Sequence, residues 1–430
     1  MRLIFIFIAF VLTTVVSAQR TYLHCGKFID TKDGQVRNQV TVIVEGNKIY
    51  DVVNGYVSGG KQDQVLDLKN KTVLPGLMDM HVHVEIETKK GAVADRFIMN
   101  PSDIAFQSAV YARTTLLAGF TTVRDLGGTG VNISLRNAIN KRMLVGPRIF
   151  TAGKIISTTG GHGDPTNGYR KDLMGSPGPA DGVMNGPEDA YQAVRQRYKE
   201  GSDCIKITAT GGVLSQAKDG SGPQFTVEEV RAVVTAAKDY GYHVAAHAHG
   251  AEGIKRAIKG GVTSIEHGTY MDDEAIELAK QYGTWLVPTI TAGKATGDSA
   301  KIPGYYSDIV TPKALVVGPR IQATFSKAYK AGVKIAFGTD AGVFSHGKNW
   351  LEFVYMTEAG MPPMEAIQSA TKNGALLLGV WDQLGSIEKG KIADIIAVDG
   401  DPISDISVMG KVVFVMKEGI IYKKEDVPVQ

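Results

Sequence analysis

The stretch Leu74-Pro-Gly-Leu-Met-Asp-Met-His-Val-His83 decides the fold of this chain. An apolar run, punctuated by Pro75 and Gly76, leads into two histidines that stand one residue apart. Because side chains alternate between the two faces of a β-strand, His81 and His83 point to the same side. Two imidazoles at one strand end form half of a divalent-metal site, although an isolated His-x-His pair is also typical of packed or surface histidines.

The middle of the chain alternates apolar strands with segments of helical period, the pattern of βα units and a parallel sheet. We predict eight strands, at residues 73–83, 120–125, 148–156, 204–209, 243–249, 264–267, 285–290 and 334–339. Helices are predicted between most of them, at residues 102–118, 188–200, 226–240 and 271–282. This number of strands favours a (β/α)8 barrel. The alternative is a doubly wound open sheet, but no GxGxxG motif follows a strand to support it.

Both ends of the chain have a different character, with short alternating strands separated by glycine and asparagine turns. These strands are predicted at residues 22–28, 40–45, 48–53, 65–71, 393–398, 411–417 and 419–422. The predicted fold class is therefore α/β, a (β/α)8 TIM barrel with a small β-sandwich domain built from both termini. We expect the barrel to span residues 75–379 and the β-sandwich domain to combine residues 19–74 with 380–430.

The first 18 residues have the pattern of a secretory signal peptide. Arg2 precedes an apolar run from Leu3 to Val16, and Val16-Ser17-Ala18 supplies small residues for cleavage. Fourteen apolar residues fall short of the ~20 that span a bilayer, so an uncleaved anchor helix is the weaker interpretation. We predict an exported soluble protein, periplasmic or secreted, with no membrane anchor after processing.

Composition excludes several classes of protein. The 430 residues are 43% hydrophobic and carry a net charge of +3, which gives no indication of nucleic-acid binding. Only Cys25 and Cys204 are present, too few for a disulfide scaffold or a thiolate metal site, and sequence alone does not decide whether they pair.

Polar residues stand at the ends of several predicted strands. His247 ends the fifth, His267 the sixth and Asp340 the eighth, while His81 and His83 end the first. In a barrel these carboxyl ends meet at one rim, where active sites lie. Each residue alone is more often a satisfied buried group, but their coincidence predicts a metal site.

Lys206 stands inside the apolar fourth strand. Burial penalises an ammonium by several kcal/mol and lowers its pKa, which leaves a neutral amine. Such an amine can react with CO2 to give an anionic carbamate that bridges two metal ions. A snorkelling or salt-bridged lysine is the alternative.

With these motifs the chain resembles the amidohydrolase superfamily, in its binuclear-metal subtype with a carbamylated lysine. The C-terminal stretch Gly385-Ser-Ile-Glu-Lys-Gly-Lys-Ile-Ala-Asp394 also matches that family. Within it the chain is most similar to the exported Xaa-Pro dipeptidase and Xaa-Arg/Lys carboxypeptidase-like branch, which is related to imidazolonepropionases. The resemblance implies two zinc ions, bridged by carbamylated Lys206 and a hydroxide. His81, His83 and Asp340 would bind one ion, and His247 and His267 the other.

The predicted reaction is metal-assisted hydrolysis of the amide bond of dipeptides or small peptides with a free C-terminus. Asp340 would take a proton from the attacking hydroxide and pass it to the leaving amine. His162, in a Gly-Gly-His-Gly turn expected to be exposed and flexible, and His249 are candidates for binding the substrate carboxylate. Long connections at 84–101, 157–187 and 291–311 are expected to cover the site.

Two other functions stay open from the sequence: a cyclic-amide hydrolase of the imidazolonepropionase type, and a non-catalytic binding protein on the same barrel. Export argues against the first and the intact ligand set against the second. The sequence does not decide between a C-terminal proline and a basic residue. Oligomeric state is also open, and a homo-oligomer is one of the states we consider.

Overall fold

The computed structural model describes residues 19–217, 220–425 and 427–429, so the predicted signal peptide lies outside the described residues. Within them the strands are β1 Arg20–Asp30, β2 Gln35–Glu45, β3 Lys48–Asn54, β4 Gln64–Pro75, β5 Leu77–Val82, β6 Phe120–Asp125, β7 Arg148–Thr151, β8 Ser157–Thr158, β9 Val183–Met184, β10 Ile205–Thr208, β11 Val244–Ala248, β12 Ser264–His267, β13 Trp285–Val287, β14 Ile395–Val398, β15 Val412–Lys417, β16 Ile420–Lys424 and β17 Val427–Pro428.

The helices are α1 Asp95–Ile98, α2 Pro101–Leu117, α3 Val131–Asn140, α4 Lys171–Met174, α5 Pro187–Glu200, α6 Val227–Lys238, α7 Ala251–Gly260, α8 Asp273–Tyr282, α9 Ile290–Ala300, α10 Val310–Lys330, α11 Leu351–Glu358, α12 Pro363–Ser369 and α13 Lys372–Leu378. Short 3-10 helices lie at Ala92–Ala94, Pro179–Asp181 and Ile406–Gly410. Within the described part of the chain, no helix is both long and apolar enough to cross a membrane.

Strands from both ends of the chain meet in one eight-stranded sheet, as the sequence predicts. Its order is β17-β16-β15-β14-β4-β1-β2-β3, and the junction between the two ends is the antiparallel pair of β14 with β4. The sheet is not antiparallel throughout, because β1 and β4 run parallel. It has its own apolar core, which includes Leu23, Val42, Ile395 and Phe414. Cys25 belongs to this core, whereas Cys204 packs with Leu126, Ala152 and Ala245, and both thiols are free.

The middle of the chain forms two larger parallel sheets and the short parallel pair β8-β9, in the mixed α/β arrangement that the sequence predicts. One of the larger sheets has the order β5-β6-β7 and the other β10-β11-β12-β13. Single parallel bridges extend from their edges: Ile156 to Ile207, Leu286 to Ile335, and Val82 to Ala341. The carboxyl ends of these strands and bridged segments therefore point the same way.

The predicted strand at 73–83 is divided at Gly76, so that β4 pairs in the terminal sheet and β5 in a parallel one. A Cβ at Gly76 would lie 2.2 Å from Thr121 Oγ1, so this close approach requires glycine. The predicted strand at 334–339 forms isolated bridges instead of a regular ladder. Both differences arise from pairing partners that are distant in sequence.

The prediction that residues 291–311 form a long connection is partly wrong, because α9 occupies the first half of this segment. The backbone N–H groups of Ile290 and Thr291 donate to the carboxylate of Glu352, at 2.8 and 2.7 Å. An acceptor at a helix start satisfies N–H groups that have no partner inside the helix. Since this cap comes from α11, local sequence around α9 does not show it. By contrast, the start of the helix predicted at 226–240 is fixed locally, because Thr226 and Glu229 form a capping box.

His243 immediately precedes β11, at the end opposite the carboxyl edge, and its Nε2 is buried without a partner among the described residues. Burial, assisted by the positive charge of Arg124, lowers the pKa of His243 to about 3. The unfolded chain takes up this proton near pH 6.5, well before the folded chain does. His243 therefore subtracts stability as the pH falls through this window.

We expect the difference in free energy of unfolding between His243→Leu and the wild type to shift by about 1 kcal/mol in favour of the variant as the pH falls from about 7.5 to about 5. This figure allows for the part exposure of the ring. The reason is that leucine has no proton to take up in the unfolded state. Urea unfolding of both proteins at both pH values measures the change. An equal difference at the two pH values would contradict this assignment.

Candidate functional site

The predicted site residues meet at the carboxyl ends of the parallel strands. His81 comes from β5, Lys206 from β10, His247 from β11 and His267 from β12, and Asp340 follows the bridged segment next to β5. All five side chains are buried, and His83 beside them is half-buried. The ring of His267 lies 5.1 Å from that of His81 and 4.7 Å from that of His247, measured between centroids.

Two groups of ligand atoms have the spacing to hold a metal ion. One consists of His247, His249 and His267, and the other of His81, His267 and Asp340; within each group the atoms lie within 4.8 Å of one another. His249, which the sequence suggested as a substrate contact, thus lies among the ligand-capable imidazoles. His83 Nε2 lies 3.3 Å from Asp340 Oδ1, and Lys206 Nζ lies 3.4 Å from His81 Nε2.

The backbone is strained where it places these side chains. His267, Thr289 and Asp340 have φ angles of +71°, +54° and +61°. Non-glycine residues in the left-handed region cost of order 1–3 kcal/mol and occur preferentially at functional sites. Here the strained residues turn an imidazole, its hydroxyl partner and a carboxylate towards the same centre.

Hydrogen bonds fix the orientation of most of the rings through Nδ1. His81 Nδ1 donates to Glu266 at 2.9 Å and His83 Nδ1 donates to the carbonyl of Gly127 at 2.8 Å. The Nδ1 atoms of His249 and His267 share 2.7 Å hydrogen bonds with the hydroxyls of Thr269 and Thr289, respectively. In all four rings Nε2 is left for the centre of the site. His247 differs from these four rings in the nitrogen that it uses, because its Nε2 donates to the carbonyl of Gly211 at 3.1 Å.

Burial lowers the pKa values of most of the nitrogen bases of the site, His83 being the exception because its contact with Asp340 raises its pKa. Burial lowers the pKa of His81 and of His249 to about 4, and the pKa values of His247 and His267 further below their usual range. Burial also lowers the pKa of Lys206 to about 8, so an appreciable share of its amine is unprotonated near neutral pH. Neutral imidazoles and a neutral amine have free lone pairs for an electrophile.

Asp340 is the negative group among these bases. Burial alone would raise its pKa, but the neighbouring His81 and His83 outweigh that effect and lower the pKa of Asp340. Its Oδ1 has no aligned hydrogen-bond partner in the described residues. An ionised, buried carboxylate oxygen without a donor is suited to contact a cation or a reactive water.

Glu266 and Arg124 were missed by the sequence analysis. They form a fully buried ion pair at 2.8 Å, and Arg124 also donates to the carbonyl of Met80. Burial would raise the pKa of Glu266, but Arg124 overrides this effect and lowers it to about 2. A signal was present, because each is a charged residue that directly follows an apolar residue in a short, buried parallel strand, as Lys206 is.

A cavity of about 200 Å³ opens above the clustered imidazoles. Its walls are largely apolar, and they include Ile86, Leu126, Ile155, Val213, Leu214, Ala292, Val317, Ile321 and Val343. His162 also lines it and stacks on His247, with 4.3 Å between ring centroids.

The expectation that His162 would be exposed on a flexible turn is wrong. A Cβ on Gly212 would lie 2.3 Å from the ring of His162, so the ring is held between Gly212 and His247. Its Nδ1 is buried and has no partner among the described residues. The sequence could not show this, because the contact depends on a glycine fifty residues away in the chain.

Two other residues of the 157–187 connection, Tyr169 and Arg170, do not line the cavity. Arg170 pairs with Asp172 and is exposed, and the ring of Tyr169 contacts that of Phe97 at 5.6 Å.

Comparison with known proteins places this geometry in a family. The family model described as Amidohydrolase family matches residues 72–421. A crystal structure of a Xaa-Pro dipeptidase with methionine bound in the active site is 56% identical, with a TM-score of 0.92, and the match covers 94% of this chain and all of that one.

Among proteins of known sequence, the ochratoxinase of Aspergillus niger is 32% identical over 82% of this chain and 75% of its own length. The imidazolonepropionase of Fusobacterium nucleatum is 24% identical over 85% of this chain and 86% of its own. The family match runs from within β4 to within β16 and contains every residue of the histidine cluster, so this chain belongs to the amidohydrolase family.

Proposed function

We propose that this chain is an exported, metal-dependent dipeptidase that cleaves amide bonds next to a free carboxylate, with Xaa-Pro dipeptides as its main substrates. The observation that carries the proposal is the convergence of six imidazoles, one carboxylate and a buried lysine amine on a single, largely apolar cavity. Identity of 56% with a Xaa-Pro dipeptidase supports the choice of substrate.

The fold of the proposed enzyme is a closed (β/α)8 barrel spanning residues 75–379. The three isolated parallel bridges support this, because they lie where the two parallel sheets would join each other and the segment at 334–341. The second unit is the β-sandwich domain of residues 19–74 and 380–430, supported by the separate apolar core of the terminal sheet.

The donor atoms suit a pair of divalent metal ions, for which we propose Zn2+. Neutral imidazoles and carboxylate oxygens without thiolates are zinc ligands of catalytic sites, and the unpartnered Oδ1 of Asp340 fits such a role. His81, His83 and Asp340 would hold one ion and His247 and His267 the other. When bound, such a pair activates water and polarises a carbonyl oxygen.

Lys206 would join the two halves of the site as a carbamate. Its lowered pKa gives the neutral amine that reacts with CO2, with loss of one proton, to form the anion. In the reaction itself, Asp340 would accept a proton from the attacking water and deliver it to the leaving amine. His162 and His249 would donate hydrogen bonds to the substrate carboxylate from opposite sides of His247.

Apolar walls support proline or another apolar residue over arginine or lysine in the substrate. Among the described residues that line the cavity, Asp340 is the only carboxylate, and it belongs to the reactive centre. A cationic substrate side chain would therefore be desolvated without an anionic partner, which costs several kcal/mol.

We expect Lys206→Ala to lose more than about 100-fold of the dipeptidase activity and part of the bound zinc, because the bridging anion is removed. The measurement is amino-acid release from a dipeptide library, with zinc and bicarbonate supplied, alongside metal analysis. Lys417→Ala is the control, since Lys417 is also buried but lies on β15 of the terminal sheet, where it donates to the carbonyl of Gly146 and does not line the cavity. Full activity and zinc content in Lys206→Ala would remove Lys206 from the site.

We expect the wild type to prefer Met-Pro over Met-Arg by at least about tenfold in kcat/KM, because the walls lack an anion for the guanidinium. Val317→Asp should lower the ratio of kcat/KM for Met-Pro to kcat/KM for Met-Arg, because it adds a carboxylate to the cavity wall. Leu315→Asp is the matched control, as Leu315 lies on the same helix but is 46% exposed. Equal rates for both dipeptides in the wild type would contradict the apolar-wall argument.

Export is proposed from the N-terminal pattern alone. We expect the mature protein, isolated from the periplasm or medium of a bacterial host, to begin at Gln19. Its intact mass decides the point, since retention of residues 1–18 would show an uncleaved anchor. Ala18→Leu should block processing, because an A-x-A-like cleavage site requires a small residue directly before the cut.

A further inference from the structure

One face of α10 lies along the cavity and ends in a lysine. Val317 and Ile321 line the cavity, and Lys313 stands one helical turn before Val317 on the same face. Lys313 Nζ does not line the cavity. It donates to three backbone carbonyls, those of Gly212 at 3.1 Å, Ser215 at 2.8 Å and Ala217 at 2.7 Å. An ammonium has three N–H donors, so it can serve three such carbonyls at once.

The three carbonyls belong to the segment 211–217, which follows β10 and forms part of the cavity wall. Gly211 accepts the hydrogen bond of His247, and Gly212 packs against the ring of His162. Val213 and Leu214 contribute apolar side chains to the lining. The segment has no regular secondary structure, so its backbone carbonyls need partners from elsewhere.

We propose that Lys313 is a positioning residue that holds segment 211–217 as a wall of the substrate cavity and so sets substrate affinity, without contacting the reacting groups. The kinetic consequence rests on the proposed dipeptidase function. The structural consequence does not, because the carbonyl contacts exist whatever the substrate is.

The test compares Lys313→Met with Lys327→Met. Methionine keeps the aliphatic stem that packs beside Gly220 but removes the three donors. Lys327 lies on the same helix and pairs with Asp273 at 2.7 Å, where both side chains are exposed, so its loss should matter little. Met-Pro hydrolysis gives KM and kcat, and amide hydrogen exchange of the metal-free proteins reports on residues 211–217.

For Lys313→Met we expect KM to rise about tenfold with kcat within about twofold of the wild type, and faster exchange in 211–217. Lys327→Met should match the wild type in all three quantities. Lys313→Arg should give a KM and an exchange rate between those of Lys313→Met and Lys327→Met, because the planar guanidinium does not reproduce three separated donors. If Lys313→Met does not fold, Lys313→Arg takes its place in the comparison.

Unchanged exchange in Lys313→Met would overturn the positioning role. Faster exchange with an unchanged KM would overturn the link to affinity, and a fall in kcat alone would place Lys313 in the reaction instead. If the wild type cleaves no dipeptide, the proposed function fails, while the exchange comparison still decides whether Lys313 holds the wall.

Discussion

The buried ion pair of Arg124 and Glu266 is the interaction on which the site depends. Neither side chain has any exposed surface, and desolvating two charges costs several kcal/mol each. The cost is offset because Arg124 also donates to Met80 and Ser264, while Glu266 accepts from His81. An interior of parallel strands is normally filled with apolar side chains, so this polar pair serves the residues above it. It fixes which nitrogen of His81 faces the centre.

Burial then has opposite consequences for the groups around the pair. It lowers the pKa values of His81, His247, His249, His267 and Lys206, but Asp340 and Glu266 stay ionised because cationic or proton-donating neighbours outweigh the desolvation. The result is a cluster of weakly basic nitrogens around two negative charges. The left-handed backbone at His267 and Asp340 shows that some stability is given up to assemble it.

Much of this arrangement follows from local sequence. The strands Phe120–Asp125 and Ser264–His267 have the predicted bounds, because each lies between two helical segments and glycines mark its ends, Gly119 and Gly127 around the first and Gly261 and Gly268 around the second. Strand ends that meet on one side then bring the ligand residues together without further information. What the sequence did not predict depends on distant contacts: Glu352 capping α9, Gly212 enclosing His162, and Thr121 forcing the break at Gly76.

The division between strands and connections also explains how one family can act on different amides. The histidines, Lys206 and Asp340 lie at strand ends, which hydrogen bonding between neighbouring strands holds rigidly. The walls come from the connections and the α9–α10 pair, through residues such as Ile86, His162 and Val317. Loops tolerate change far better than buried strands do, so substrate choice can vary while the reactive centre stays the same. Similarity to both a Xaa-Pro dipeptidase and an ochratoxinase is what this division leads one to expect. For the proposed dipeptidase, it follows that substrate choice depends more on how the cavity walls are held than on the side chains at the strand ends.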